Sequence, residues 1–356
     1  MKVGVHGINL ELLKQNMGTP ALKASGNNFG NMLFTNSIYK QVKDCQFIRK
    51  RKVADSYDAI VIPAANWINE RSDYGDLADF LYKQNVPVSI VGLGAQFQKI
   101  DDIDLLSEGT KRFLKVTSEL TTSIGVRGEF TKKVLNELGI NNVSVLGCPS
   151  LFTHLKVPEI REIKDPSDVK LSLGGTRYIL TKGNFNKKDD IQRKLYQFAV
   201  QTNSPMFYQS EEFEIKLMAR EDVEDKMQLA AEYYSTSKDR LSKYIRDFGK
   251  YHTDINQWLI DSMKTDLYVG SRIHGVIASM LAGTPGILIS HDERTRELAK
   301  SMSIPCIDAN EFDIDMLFDT RSFIGMFNFE SYKKRGAENM KALNELYLSN
   351  GLETNF

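Results

Sequence analysis

Short runs of aliphatic and β-branched residues recur from one end of the chain to the other, separated by helix-length amphipathic stretches. Strands that follow one another in parallel need a crossover of about a dozen residues, usually a helix, so this alternation reads as consecutive βαβ units and a parallel sheet. In the first half, strands are predicted at 2–7, 59–63, 88–92, 123–126 and 143–146. Helices are predicted between them at 75–84, 105–120 and 129–138, the last closed by Gly139 in the position of a C-terminal cap glycine.

The alternation breaks at 155–166, where Pro158 and Pro166 stand in a dense mixture of charges, and this stretch is read as a linker. Strands resume at 169–173, 205–208, 266–269 and 286–290, with helices at 187–199, 255–264, 276–282 and 293–302. Ser290 followed by Glu293 fits a capping box for the last of these. Residues 211–250, rich in acids and bases, read as a helical insertion with a solvated face, and 327–348 as one long closing helix. The organisation expected is a Rossmann-like domain over 1–157, a second over 158–325, and a closing helix within 326–356. At 356 residues and 42% hydrophobic content there is apolar material for two cores. Two such halves should face each other across a cleft, with ligands at the carboxyl ends of the strands.

Bulk charge narrows the partners. Lys plus Arg and Asp plus Glu both number 46, which gives no electrostatic footprint for nucleic acid or an anionic membrane. Cys45, Cys148 and Cys306 lie far apart and form no metal-binding pair, so they are expected to be buried, reduced thiols, and no metal or cofactor is predicted. The start, MKVGVHGINL, lacks the apolar core of a signal peptide, and no stretch approaches the length of a membrane span. A soluble, cytoplasmic protein is the expectation.

The segment richest in chemistry runs from Asp266 to Asp292. A strand there ends in the turn Gly270-Ser271-Arg272-Ile273-His274-Gly275, which opens a helix. Free N–H groups at such a turn, those of Ser271 and Gly275 among them, favour an anion. Arg272 adds a planar fork suited to carboxylate or phosphate, and His274 a group that exchanges protons near neutral pH. The next strand ends at Ser290-His291-Asp292, on the same rim. Taken singly, Arg272 suits a structural salt bridge and His274 a cap equally well; together in a glycine-bounded turn they point to function. Asp292 reads as a helix cap.

With those residues in view, the chain resembles the polysaccharide pyruvyl transferase family. The resemblance rests on the Gly270–Gly275 turn, Ala278, Gly283-Thr284-Pro285, and the run from His291 to Ala299. Upstream, Val91-Gly92-Leu93-Gly94-Ala95-Gln96, Val126-Arg127 and Leu138-Gly139-Ile140 match the family's glycine-rich and central segments. Asn28-Phe29-Gly30-Asn31 looks like its Asn-x-Gly-Asp turn, with Asn31 in place of the usual Asp. It covers roughly 26–309 and leaves 211–250 unmatched. The segment Gly92–Phe97 lacks the third glycine of a dinucleotide fingerprint, which disfavours NAD.

The resemblance implies transfer of the enolpyruvyl unit of phosphoenolpyruvate onto a sugar hydroxyl pair, as a pyruvate ketal, in exopolysaccharide or capsule biosynthesis. The donor carries about three negative charges near neutral pH. Arg272 and Arg127 would grip it from the two sides of the cleft, and His274 would move the proton. Its position at a helix start should depress the imidazole pKa, and the bound trianion should raise it again. Gln96 and Asn66, after first-half strands, bind sugar hydroxyls or else satisfy loop backbone groups; His291 stands at the same rim. Asn31 removes a carboxylate base from its turn and leaves a shifted substrate or lowered activity open. The acceptor is a saccharide, lipid-linked or free. Two other readings remain. One is a GT-B glycosyltransferase using a nucleotide sugar, which wants an acid on the second-half helix; 276–282 has none, leaving Glu293 and Glu297 as substitutes. The other is a non-catalytic member of a polysaccharide assembly complex. The fold expected is α/β, with two Rossmann-like domains in a GT-B-like arrangement.

Overall fold

In the computed structural model, which describes residues 1–49, 56–97, 100–176, 178, 180 and 187–356, the chain forms two parallel sheets. The first half contributes β1 (Val3–Val5), β2 (Cys45–Phe47), β3 (Ala59–Pro63), β4 (Val88–Val91), β5 (Ile124–Val126) and β6 (Val143–Val145). Their order is β2-β1-β3-β4, and the β5-β6 pair continues beside β4 through a bridge between Leu93 and Val126. The second half contributes β7 (Leu171–Gly174), β8 (Met206–Phe207), β9 (Gly249–Lys250), β10 (Leu267–Gly270), β11 (Gly286–Ser290) and β12 (Cys306–Asp308), in the order β12-β11-β10-β7-β8-β9. That order reverses direction between β7 and β10, the switch point at which doubly wound sheets open a crevice for ligands.

Several elements were not predicted. β2, β9 and β12 are two or three residues long, too short to show a period. In the helix Asn31–Gln41 seven of eleven residues are buried, so no polar face marks it. The segment 211–250 does form helices, Glu212–Met218, Glu224–Tyr233 and Lys238–Phe248. The capping box differs from expectation. Ser290 still pairs with Asp308 as the last residue of β11, and Asp292 caps the helix Glu293–Met302 instead, with Thr295 as its reciprocal partner.

The cores do not divide where the sheets do. Ile60 and Ile62 of β3 face a cluster confined to the first half, with Val88, Ile90 and Phe113. Ala59 and Val61, on the opposite face by the period of two, join a cluster that runs on through Leu151 and Phe152 to Leu173, Val269 and Ile289. The two sheets thus share apolar packing. The helix Ser331–Ser349 ties them again: Tyr332 Oη donates to Pro158 O at 2.5 Å and Asn339 Nδ2 to Ser301 O at 2.9 Å. At its other end Tyr347 Oη donates to Gln41 Oε1 at 3.1 Å, and Asn350 Nδ2 to Ser89 Oγ at 3.0 Å.

Polar contacts also cross between the halves, and one of them is a helix cap. The helix Glu129–Glu137 begins at Gly128, which has no side chain to cap it. Glu297 of the helix Glu293–Met302 supplies the cap, accepting from Phe130 N at 2.9 Å, Thr131 N at 3.2 Å and Thr131 Oγ1 at 2.8 Å. Gly128 permits this approach, since a Cβ there would sit 2.6 Å from Glu297 Oε2. Glu297→Ala should therefore cost about 2 kcal/mol in urea unfolding, the upper range for a lost N-cap, because buried donors are left unpaired. Glu297→Gln, which keeps an acceptor oxygen, should lose less. An unchanged midpoint for the alanine variant would show that the cap contributes nothing.

Candidate active site

The site is assembled from the residues just beyond the carboxyl ends of the strands. β3 runs into Ala65-Asn66-Trp67, β4 into Gln96, β5 into Arg127, β7 into Thr176, β8 into Gln209-Ser210, β10 into Ser271-Arg272 and β11 into His291. All of these residues line one cavity of about 320 Å³, within the usual size range of small-molecule sites. Asn28 and Asn31, His274 and Arg294 add to its polar lining. Among the described residues that line it there is no Asp or Glu.

The structure thus brings Arg272, His274, Arg127, Ser271, Gln96, Asn66, Asn31 and His291 together, and leaves out Gly275. Gly275 serves packing. A Cβ on it would meet Tyr268 Oη at 2.0 Å, and one on Gly174 would meet the same oxygen at 1.8 Å. The Tyr268 phenol occupies space that these two glycines vacate. Gly30 makes room in the same way, since a Cβ there would fall 2.5 Å from His274 Nδ1 and 2.8 Å from Gln209 Oε1.

Arg272 stands at the N-cap of the wholly buried helix Ile273–Leu281 and makes no side-chain cap bond there. Its guanidinium is held from one edge by Glu211, with Nε 3.0 Å and Nη2 2.6 Å from Oε1, and Nη2 also reaches Ser210 Oγ at 2.5 Å. Glu211 is buried and accepts from Gln209 N and Ser210 N as well. Arg127, only 4% exposed, donates through Nε to Gly92 O at 2.7 Å and through Nη1 to Asn66 Oδ1 at 2.8 Å. Burial, with the Arg294 charge acting in the same direction, lowers its pKa. Asn66 therefore orients the arginine. Arg294 pairs with Asp292 at 3.0 Å.

His274 is buried, its Nε2 3.7 Å from Cys148 Sγ. Burial first, and then the charges of Arg127, Arg272 and Arg294, push its pKa down to about 3. The sequence predicts the direction but attributes it to the helix start; the larger causes are loss of water and three guanidinium groups. Around it lie polar atoms without a hydrogen-bond partner among the described residues: Ser271 Oγ, Thr176 Oγ1 and both ends of the Gln209 amide. Buried polar groups are normally paired with protein, water or ligand, so their accumulation around one cavity gives its occupant several donors and acceptors to meet. Asn31 Nδ2 donates to Ser25 O at 2.9 Å, a bond that a carboxylate could not make.

Several lining or supporting residues escape sequence reasoning, among them Glu211, Gln209, Arg294 and Trp67. Glu211 and Gln209 lie within or beside the stretch read as a solvated insertion, although the predicted strand 205–208 ends next to them, and the carboxyl-end rule applies to that strand equally. Arg294 falls in the run that carries the resemblance, yet only its neighbour His291 is singled out. Neither Glu293 nor Glu297 lines the cavity: Glu293 pairs with Arg296, and Glu297 is the cap described above. The titration of His274 has a consequence for stability. An imidazole near 6.5 when unfolded and about 3 when folded binds more protons unfolded throughout that interval. Its contribution is complete above about pH 6.5 and declines as the pH falls toward 3. His274→Gln should flatten the acid limb of the melting temperature against pH, with some slope kept by His252, which burial also holds below its ordinary value. An unaltered acid limb would overturn the buried, neutral assignment.

Comparison with known proteins places the chain in a family. No curated protein sequence matches the chain. Solved structures of similar shape include UDP-GlcNAc 2-epimerase from Methanocaldococcus jannaschii, with TM-score 0.49 and 13% identity over 97% of this chain and 99% of that one. Another is the co-structure of S. aureus MnaA with UDP, with TM-score 0.46 and 12% identity over 97% and 94%. The model of the family described as polysaccharide pyruvyl transferase matches residues 25–293, from the Asn28–Asn31 turn through both arginine-bearing turns to the start of the Asp292-capped helix, and the chain belongs to that family.

Proposed function

We propose that this protein transfers the enolpyruvyl unit of phosphoenolpyruvate to a pair of hydroxyls on a saccharide, closing a pyruvate ketal and releasing phosphate. The observation that carries this reading is the convergence of Arg127, Arg272, Arg294 and His274 on one cavity without a lining carboxylate among the described residues. Such a site suits a small ligand with several negative charges. The arginines would share the donor's carboxylate and phosphate, with Ser271, Thr176 and Gln209 satisfying remaining oxygens. A proton delivered to the enol methylene makes the adjacent carbon electrophilic. One sugar hydroxyl adds there, a second displaces phosphate, and the hydroxyl protons leave through a nearby base.

His274 is assigned that proton transfer. Neutral in the free protein, it faces three cations; a bound trianion compensates them and raises its basicity at the moment a proton must be held. Arg127 follows a strand of the first half and Arg272 a strand of the second, so the donor would be gripped by one guanidinium from each half. The domain boundaries at 157/158 and 325/326 remain part of this proposal. Among the described residues no helix is long and apolar enough to cross a membrane. We place the reaction in the cytoplasm, as a step of polysaccharide assembly. The nucleotide-sugar reading loses support because both candidate acids, Glu293 and Glu297, are engaged outside the cavity.

Two experiments test this. In thermal-shift titration, phosphoenolpyruvate should stabilise the protein by roughly 2.7 kcal/mol at about 100 times its Kd, and UDP-sugars should not. Arg127→Ala and Arg272→Ala should each weaken the donor at least several-fold; stabilisation by UDP-sugars alone would favour the glycosyltransferase reading. In turnover assays following phosphate release, His274→Gln should retain donor binding but lose about 10²-fold in kcat, together with one limb of the pH profile. Near-wild-type turnover with an unchanged profile would remove the proton-transfer role from His274.

A further inference from the structure

The cavity is graded from floor to mouth. Its floor is buried and ionic or hydrogen-bonding: Gln209 and Thr176 are 1% exposed, Ser271 2%, Arg127 4% and His274 6%. The first-half lip is different. Gln96 and Asn27 are exposed, Asn66 and Trp67 are half-buried, and none of the four carries a charge. Arg127, the cation on that side among the described lining residues, lies deeper and is tied to Gly92 O and Asn66 Oδ1. Across the mouth, Arg294 is balanced by Asp292.

Trp67 is fixed before any ligand arrives. Its indole stacks on Tyr74 at 4.8 Å between ring centroids and 18° between planes, and leans on Phe113 at 6.0 Å and His6 at 6.1 Å. A rigid aromatic surface flanked by carboxamides is the arrangement that receives a pyranose: the ring's C–H face packs on the indole, and its hydroxyls find donors and acceptors in the amides. An acidic sugar fits badly, because its carboxylate would lie beside a floor that already holds a trianion.

We infer that this lip is the acceptor subsite and that it takes a neutral pyranose, with Trp67 as platform and Asn66 and Gln96 reading hydroxyls. The inference rests on the floor being the donor site, as proposed above. Trp67 also reports on it. The chain has two tryptophans, and the other, Trp258, is buried against His252 and does not line the cavity.

The test titrates the full chain, saturated with phosphoenolpyruvate, with methyl glycosides of glucose, galactose and mannose, and with methyl glucuronide. Tryptophan emission and calorimetry are followed together. At least one neutral glycoside should bind with a saturable change in Trp67 emission, and the glucuronide should bind more weakly. Trp67→Ala should weaken that glycoside about ten-fold while leaving donor affinity within about two-fold. Because Trp67 also packs on Tyr74 and Phe113, Trp67→Tyr and Gln96→Ala serve as gentler variants, expected to weaken the glycoside in the same direction. Failure of every neutral glycoside to bind, preference for the glucuronide, or indifference to all three substitutions would overturn the inference. If the wild-type protein does not bind phosphoenolpyruvate, the donor reading fails separately. The same glycoside titrations on donor-free protein then decide the lip, and Trp67-dependent binding there would uphold it.

Discussion

The arrangement of this site depends on a carboxylate that never touches the cavity. Glu297 caps the helix Glu129–Glu137 from the opposite half, and that helix starts two residues after Arg127. One turn further along the same second-half helix, Ser301 Oγ donates to Arg127 O at 2.6 Å. The helix therefore holds the Arg127 backbone and the following helix start together, while its own first turn presents Arg294 to the cavity. Burial raises the Glu297 pKa, and the donors from Thr131 and Phe130 pull against that shift. Without such compensation a carboxylate in this position would be costly. The shared apolar cluster adds breadth to this local contact, since Ala59 and Val61 of the first sheet pack into the cluster that reaches Val269 and Ile289.

Fixing two arginines across a narrow space creates a repulsion that the protein only partly cancels. Glu211 neutralises Arg272 from behind, through Nε and Nη2, and so orients the guanidinium as well as balancing it. Arg127 has no acid among its hydrogen-bond partners within the described residues; it rests on a carbonyl and an amide. His274 responds by staying neutral. At an effective dielectric near 20, a unit charge about 4 Å away acts with roughly 4 kcal/mol, so an entering polyanion has ample leverage over both guanidinium groups and the imidazole. The hydroxyls and amide around His274 that lack a protein partner have the same logic in hydrogen-bond terms: they offer donors and acceptors to whatever occupies the cavity.

What the sequence makes legible depends on how strongly each feature is encoded locally. β3, β4, β10 and β11 are mainly apolar runs with a glycine or proline at or beside one end, interrupted only by Ser89 in β4 and closed by Ser290 in β11, and their boundaries are read to within a residue or so. β9 and β12 exist only because a neighbouring strand supplies their partners, and nothing in two or three residues announces that. The turn Gly270–Gly275 is legible because an arginine and a histidine sit where apolar packing would be expected. Glu211 is not, because its role is to face an arginine 61 positions away, and from sequence alone it is one more acid in an acid-rich stretch. Trp67 is hidden for a related reason. A tryptophan after a strand is ordinary core material until Tyr74 and Phe113 are seen to fill one side and the cavity to border the indole.

Asn31 shows how a single substitution can fit both the structure and the proposed chemistry. Its Nδ2 closes the Gly26 turn by donating to Ser25 O, and an aspartate there would set a negative charge against that carbonyl. The same aspartate would also introduce an acid into a lining that has none among the described residues, drawing on the arginines that the donor is proposed to need. With an amide at this position the cationic floor keeps its full pull on a polyanion. The loss is a fixed base at the mouth of the helix Asn31–Gln41. Within the proposed reaction, proton handling then falls to His274, a titratable group on the floor whose charge state the ligand itself would control.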